Sequence, residues 1–285
     1  MHEAALIDAR AGRHLTRFPG GRMVWRRWSQ GPPVVLLHGA SGSWTHWVRN
    51  IPALAERCTV LAPDMPGFGD SDDLPEPHTA ERLAQAVCEG LDAVVPPPAT
   101  LALAAFSFGS IVAGVMAARL GTRVSQLILV GAGGLGLPIE AAGLRLQRFT
   151  PGMSETAMRE VHRANLKMLM LGDPAAADDL AVDLQIENVR RTRFKSGDIP
   201  ASDVLLRALP ALRAPLTAMW GERDAFVAPR LDDRRRVVQR VHPHADIRVL
   251  PGAGHWAIYE AAETVNRALL EIVSPARAAG SRGSA

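Results

Sequence analysis

The chain has 285 residues, 47% of them hydrophobic and 21% charged, which is enough for a sizeable core of the soluble globular kind. With 32 basic and 29 acidic residues the net charge is +3, so neither sign dominates and a general affinity for nucleic acid is not indicated. Two cysteines, Cys58 and Cys88, give neither metal-ligand spacing nor a disulfide framework, and no apolar run is long enough to span a bilayer.

The N-terminal "MHEAALIDARAGRHL" is charged throughout and lacks the apolar core of a signal peptide, so the expected compartment is the cytoplasm. Two segments near 4–8 and 22–28 are expected as antiparallel edge strands. Short apolar runs follow at 32–39, 58–64, 99–107, 125–131, 214–221 and 245–252, each closed by Gly, Pro, Asp or Ser. Such runs read as strands buried on both faces, as in a parallel sheet. Helical stretches lie between several of them, at 79–95, 110–120 and 230–241. This alternation predicts a doubly wound α/β sheet. In the last of these helices, "RLDDRRRVVQR" is read as a solvated face because Asp232 and Asp233 break its basic run.

The alternation stops after "VGAGGLGLP", with no strand expected until about residue 214. Helices are expected instead at 154–171, where Ser154 is an N-cap candidate, and at 176–194. The expected organisation is therefore a core over 1–133 and 213–275, a helical insertion over 134–212, and a disordered small-residue tail over 276–285.

One strand-to-helix junction carries the chemistry. In "LALAAFSFGSIVAGVMAARLG" a lone Ser107 separates two apolar runs, with Ala105 and Gly109 on either side. Small residues two before and two after a serine allow the sharp turn that exposes a nucleophile at the end of a strand. A serine hydroxyl also needs a base, and the base needs an orienting group. Asp224 in "WGERDAFVAP" and His255 in "LPGAGHWAIYE" both follow predicted strand ends, so all three fall at one edge of the sheet. The turn "LLHGASGSW" follows another buried strand. Its Ala40 amide, with the amide of Phe108, suits a developing oxyanion. The loop "APDMPGFGDSD" reads as structural bracing. Trp44, Phe106 and Trp256 lie beside these motifs and are candidate substrate contacts.

Taken together, "HGASGSW", "DMPGFGDSD", "AFSFGS", "GERDAFVAP" and "GAGHWAIYE" resemble the α/β-hydrolase fold, in its cap-bearing serine hydrolase branch. The resemblance covers most of residues 30–274. It implies Ser107 as nucleophile, Asp224 as acid, His255 as base, and Ala40 and Phe108 as oxyanion amides. It also makes 134–212 a lid and gives His38 and Gly39 the task of shaping the oxyanion turn. The expected fold class is thus a mostly parallel doubly wound sheet with a helical cap inserted between strands.

The expected activity is hydrolysis of a small apolar or aromatic carboxylic ester through an acyl-enzyme. No cofactor or metal is implied, and neither nucleic acid nor membrane is expected as a partner; a homodimer stays open. The C-terminal motif is also similar to meta-cleavage-product hydrolases, which cut a C–C bond in dienoic keto acids. Those commonly carry a polar residue before the serine, whereas this chain has Phe106. Arg190, Arg191 and Arg193 are the candidates for a carboxylate clamp if C–C cleavage is the reaction. A non-catalytic ligand receptor on the same fold is a third reading.

Overall fold

A computed structural model of the protein describes residues 3–228 and 230–274. In chain order the elements are α1 (Glu3–Asp8), β1 (Gly12–Phe18), β2 (Gly21–Trp28), β3 (Pro33–Leu37), α2 (Ile51–Ala55), β4 (Thr59–Pro63), α3 (Ala80–Val94), β5 (Leu101–Phe106), α4 (Phe108–Leu120) and β6 (Val124–Val130). Then come α5 (Glu155–Leu169), α6 (Asp179–Arg190), α7 (Val204–Ala208), β7 (Leu216–Gly221), α8 (Leu231–Val241), β8 (Asp246–Leu250), α9 (Ala257–Glu260) and α10 (Ala262–Val273). The tail expected at 276–285 lies outside the described residues.

The strands form one eight-stranded sheet in the order β1-β2-β4-β3-β5-β6-β7-β8. β2 runs antiparallel to both β1 and β4, and every later pairing is parallel. Helices cover both faces, which is why the central strands β3 and β5 are apolar without interruption. Alternation along each strand divides the core in two. Val35, Leu37, Leu103, Ala105 and Leu129 pack with α3 and α4, while Val34, Leu36, Ala104, Phe106 and Val130 pack with α2, α9 and α10.

The expected N-terminal hairpin is displaced by one element. Residues 4–8 are helical, and the edge hairpin is β1 with β2. The physical reason is spacing: Ala4 and Ile7 stand three apart and are the two buried residues of α1, so they form one helical face. β1 is an edge strand of mixed polarity, with Leu15 exposed and Thr16 and Phe18 buried, and it gives little alternation to detect.

Between β6 and β7 the described chain contains no strand. It carries α5, α6 and α7, and the first two are capped by side chains: Ser154 and Asp178 accept from the amides of Ala157 and Ala181 at the starts of α5 and α6. Val161 and Leu166 of α5 and Ala181, Val182 and Leu184 of α6 are buried. No helix among the described residues is long and apolar enough to cross a membrane.

Candidate active site

Ser107 stands alone between β5 and α4 at φ 52° and ψ −119°, a conformation that costs a non-glycine residue roughly 1–3 kcal/mol. The surroundings enforce it. The Ser107 amide donates to the Val130 carbonyl on the neighbouring strand at 2.8 Å, and the Ser110 hydroxyl reaches back to the Ala105 carbonyl at 3.0 Å. Gly109 lies against the end of β3, where a Cβ would come within 2.9 Å of the Leu37 carbonyl oxygen and closer still to that of His38. A strand and a helix meeting this tightly leave the Ser107 side chain at the sheet's carboxyl edge.

His255 and Asp224 arrive from β8 and β7. The His255 Nε2 is 2.8 Å from Ser107 Oγ, and its Nδ1 is 2.8 Å from Asp224 Oδ2. A carboxylate only accepts, so Nδ1 carries the hydrogen and Nε2 is left to accept from the serine hydroxyl. Asp224 is fully buried, and its other oxygen accepts from the Phe226 amide at 2.9 Å. The structure therefore brings together the three residues singled out at strand ends, although 148 positions separate the serine from the histidine.

The turn after β3 is held by two further imidazoles. His38 accepts from the Met65 amide through Nε2 and donates through Nδ1 to the Gly39 carbonyl. His46 accepts from the Gly39 amide through Nδ1 at 3.1 Å. Burial lowers the pKa of both rings, and for His46 the neighbouring His38 and His255 push it further, well below 6.5. Two neutral imidazoles thus fix both the N–H and the C=O of Gly39, next to Ala40. His46 has no counterpart among the sequence expectations. The loop 62–72 does brace this region: Asp64 accepts from the Trp44 and Asp70 amides and pairs with buried Arg26 at 2.9 Å.

A cavity of about 230 Å³ opens beside Ser107. Ala40, Phe106, Phe108 and His255 line it, with Ile111, Leu135, Leu137, Ile139, Met170 and Gln185 from farther along the chain. Of the three aromatic residues singled out in the sequence, Phe106 lines this cavity and Trp44 and Trp256 do not. Trp44 packs against Trp28 and under the Arg26 guanidinium, and Trp256 stacks on Tyr259 while its indole donates to the His46 carbonyl. Both indoles are large enough to serve the second core layer, and both are buried there. Arg190, Arg191 and Arg193 are also elsewhere. Arg190 pairs with Glu187, Arg191 with Glu187 and Asp70, and Arg193 with Asp73. The cation that does line the cavity is Arg234 of α8, which lies in the run read as solvated.

An alpha/beta hydrolase family model matches residues 34–268. The chain belongs to that family. It is 31% identical over 268 residues to the dihydrolipoyllysine-residue acetyltransferase component of the acetoin cleaving system of Pseudomonas putida. That match covers 88% of this chain and 66% of that relative, so the chain spans just under two thirds of its length. It is 30% identical over 264 residues to a 2-hydroxy-6-oxo-6-phenylhexa-2,4-dienoate hydrolase of Burkholderia cepacia, covering 86% of this chain and 88% of the relative. Among solved structures, a carboxylesterase from Bacillus subtilis superposes with a TM-score of 0.75 at 18% identity, covering 95% of this chain and 94% of that one; at this identity the likeness speaks for the fold.

Proposed function

We propose that this hydrolase-family member is a serine esterase acting on a small, largely apolar carboxylic ester. The observation that carries the reading is the continuous relay from Ser107 Oγ through the two ring nitrogens of His255 to the buried Asp224 carboxylate, with 2.8 Å at each link. Ser107 Oγ attacks the ester carbonyl carbon as its proton passes to His255 Nε2. The charge on the carbonyl oxygen is taken up by the amides of Ala40 and Phe108. The tetrahedral adduct then expels the alkoxide, which receives that proton from His255 and leaves an acyl-serine. Water, deprotonated by the same nitrogen, attacks the acyl carbon and releases the acid and the free serine. Asp224 holds the imidazole in the required tautomer and stabilises its charged form. In this reading the helices of 134–212 act as a cap that supplies apolar contacts such as Met170.

Hydrolysis of a C–C bond is the second reading, favoured by the dienoate hydrolase named above. It needs a group near the nucleophile to hold a dienolate and its carboxylate. Phe106, beside the nucleophile, neither donates nor accepts and so cannot hold the dienolate, which supports the ester.

The test compares turnover of a small aryl ester with that of a 2-hydroxy-6-oxo-dienoate and adds fluorophosphonate labelling. Esterase activity that falls on the order of 10⁴-fold in Ser107→Ala is expected, with label on Ser107. Faster turnover of the dienoate would replace the ester reading, and absence of labelling would remove both.

A further inference from the structure

Arg234 is 4% exposed, yet it lines the cavity beside Ser107. Its sequence neighbours behave as a surface helix should: Arg235 and Arg236 pair with Asp232 and Asp233 at exposed positions. Arg234 alone turns inward. Its Nη1 donates to the carbonyls of Val227 and Arg230, and its Nη2 to those of Pro138 and Phe226, at 2.8–3.4 Å. Those four bonds leave the Nε–H of a five-donor guanidinium without a partner among the described residues.

No carboxylate neutralises this charge by direct contact among the described residues. The three that act on it from farther off are engaged elsewhere, Asp224 with His255, Glu140 with Arg230 at 3.0 Å and Asp233 with Arg236 at 2.6 Å. Burial lowers the Arg234 pKa, which fits a cation that lacks a close counter-ion. Taking a guanidinium out of water is unfavourable when no ion pair offsets it. Among the described residues lining the cavity, Arg234 is the one permanent charge; the rest are apolar or neutral polar groups and the His46 and His255 rings.

We propose that Arg234 is a specificity-determining residue that binds a carboxylate on the substrate, so that the preferred substrates are acyl compounds bearing a second, free carboxylate remote from the scissile carbonyl. The position of the scissile bond at Ser107 rests on the hydrolase reading above. The apolar wall of Leu135, Leu137 and Ile139 would carry the carbon chain between the two groups, and the remaining Nε–H would make a charge-assisted hydrogen bond to a carboxylate oxygen at its far end.

The test separates binding from turnover. With Ser107→Ala, calorimetry measures the affinity for the monomethyl esters of succinate, glutarate and adipate against their dimethyl esters. At least tenfold tighter binding of one monoanion than of its neutral diester is expected, and this comparison needs no change at Arg234. Equal or weaker binding of every monoanion overturns the proposal. Adding Arg234→Gln should abolish the monoanion preference, read as the ratio of monoanion to diester affinity, and Arg234→Lys should retain part of it. A preference that persists in Arg234→Gln also overturns the assignment, whereas a general loss of both affinities would show a merely structural role. Because these readouts require no hydrolysis, they stand or fall separately from the esterase activity itself.

Discussion

Gly109 and His38 are in backbone contact across the junction of α4 with the end of β3, so tightly that the carbonyl oxygen of His38 occupies the space of a Cβ at 109. The obstacle is main chain on both sides and no rotamer change relieves it. Gly109→Ala is therefore expected to cost about 1–3 kcal/mol in a denaturant titration. Because the displaced strand end leads directly into the turn at Ala40, ester turnover should drop on the order of a hundredfold. Unchanged stability and rate would mean that the approach of helix and strand is looser than described.

Ser107 pays for its position with backbone strain. At φ 52° and ψ −119° glycine is at ease and any L side chain is not. Both Ser107→Gly and Ser107→Ala should be inactive, but the glycine variant should be the more stable of the two by about 1 kcal/mol. Equal unfolding midpoints for the two would remove strain from the account of this turn.

Acid should destabilise the fold through His46. Its folded pKa lies well below 6.5, held down by burial first and then by His38 and His255. Below about pH 6.5 the unfolded chain therefore takes up a proton that the native ring refuses. The contribution is fully present above that pH and is lost as pH falls toward the folded value, at up to about 1.4 kcal/mol per pH unit. Urea titrations at several pH values should show a shallower acid limb for His46→Gln. An identical limb in both proteins would contradict a buried neutral imidazole.

Arg26 is the pivot of a buried ion network. It meets Asp64 at 2.9 Å and Asp8 and Asp70 at 2.6 Å each, and Asp64 is 1% exposed. Removing only the cation leaves a buried carboxylate uncompensated. Arg26→Met is expected to cost about 3–5 kcal/mol, visible as a lower thermal midpoint. Restoring much of that loss by adding Asp64→Asn would identify the orphaned charge as the cause, and a single variant as stable as the parent would refute it.

How far these features were legible beforehand depended on whether a residue's role is set by its neighbours along the chain. The central parallel strands were readable because burial on both faces demands uninterrupted apolar runs, as in β3 and β5. The turn at Ser107 was readable because its steric requirement falls on residues two positions away, Ala105 and Gly109. Asp224 and His255 were accessible because a parallel sheet delivers all its strand ends to one edge. The distances that join them to Ser107 belong to the assembled sheet. Residues 4–8 were misread because a two-residue apolar pattern on so short a segment suits either element. Trp44 and Trp256 were misplaced because nearness to a motif in sequence says nothing about which side of the sheet an indole enters. Arg234 was hidden most completely. In sequence it is one of three consecutive arginines after two aspartates, and only the packing of α8 against the loops at Pro138 and Phe226 decides that this guanidinium faces inward while Arg235 and Arg236 stay in water. Local pattern thus determined the scaffold and the order of the chemical groups. Tertiary packing decided which polar side chains are desolvated, because desolvation depends on atoms contributed by distant parts of the chain.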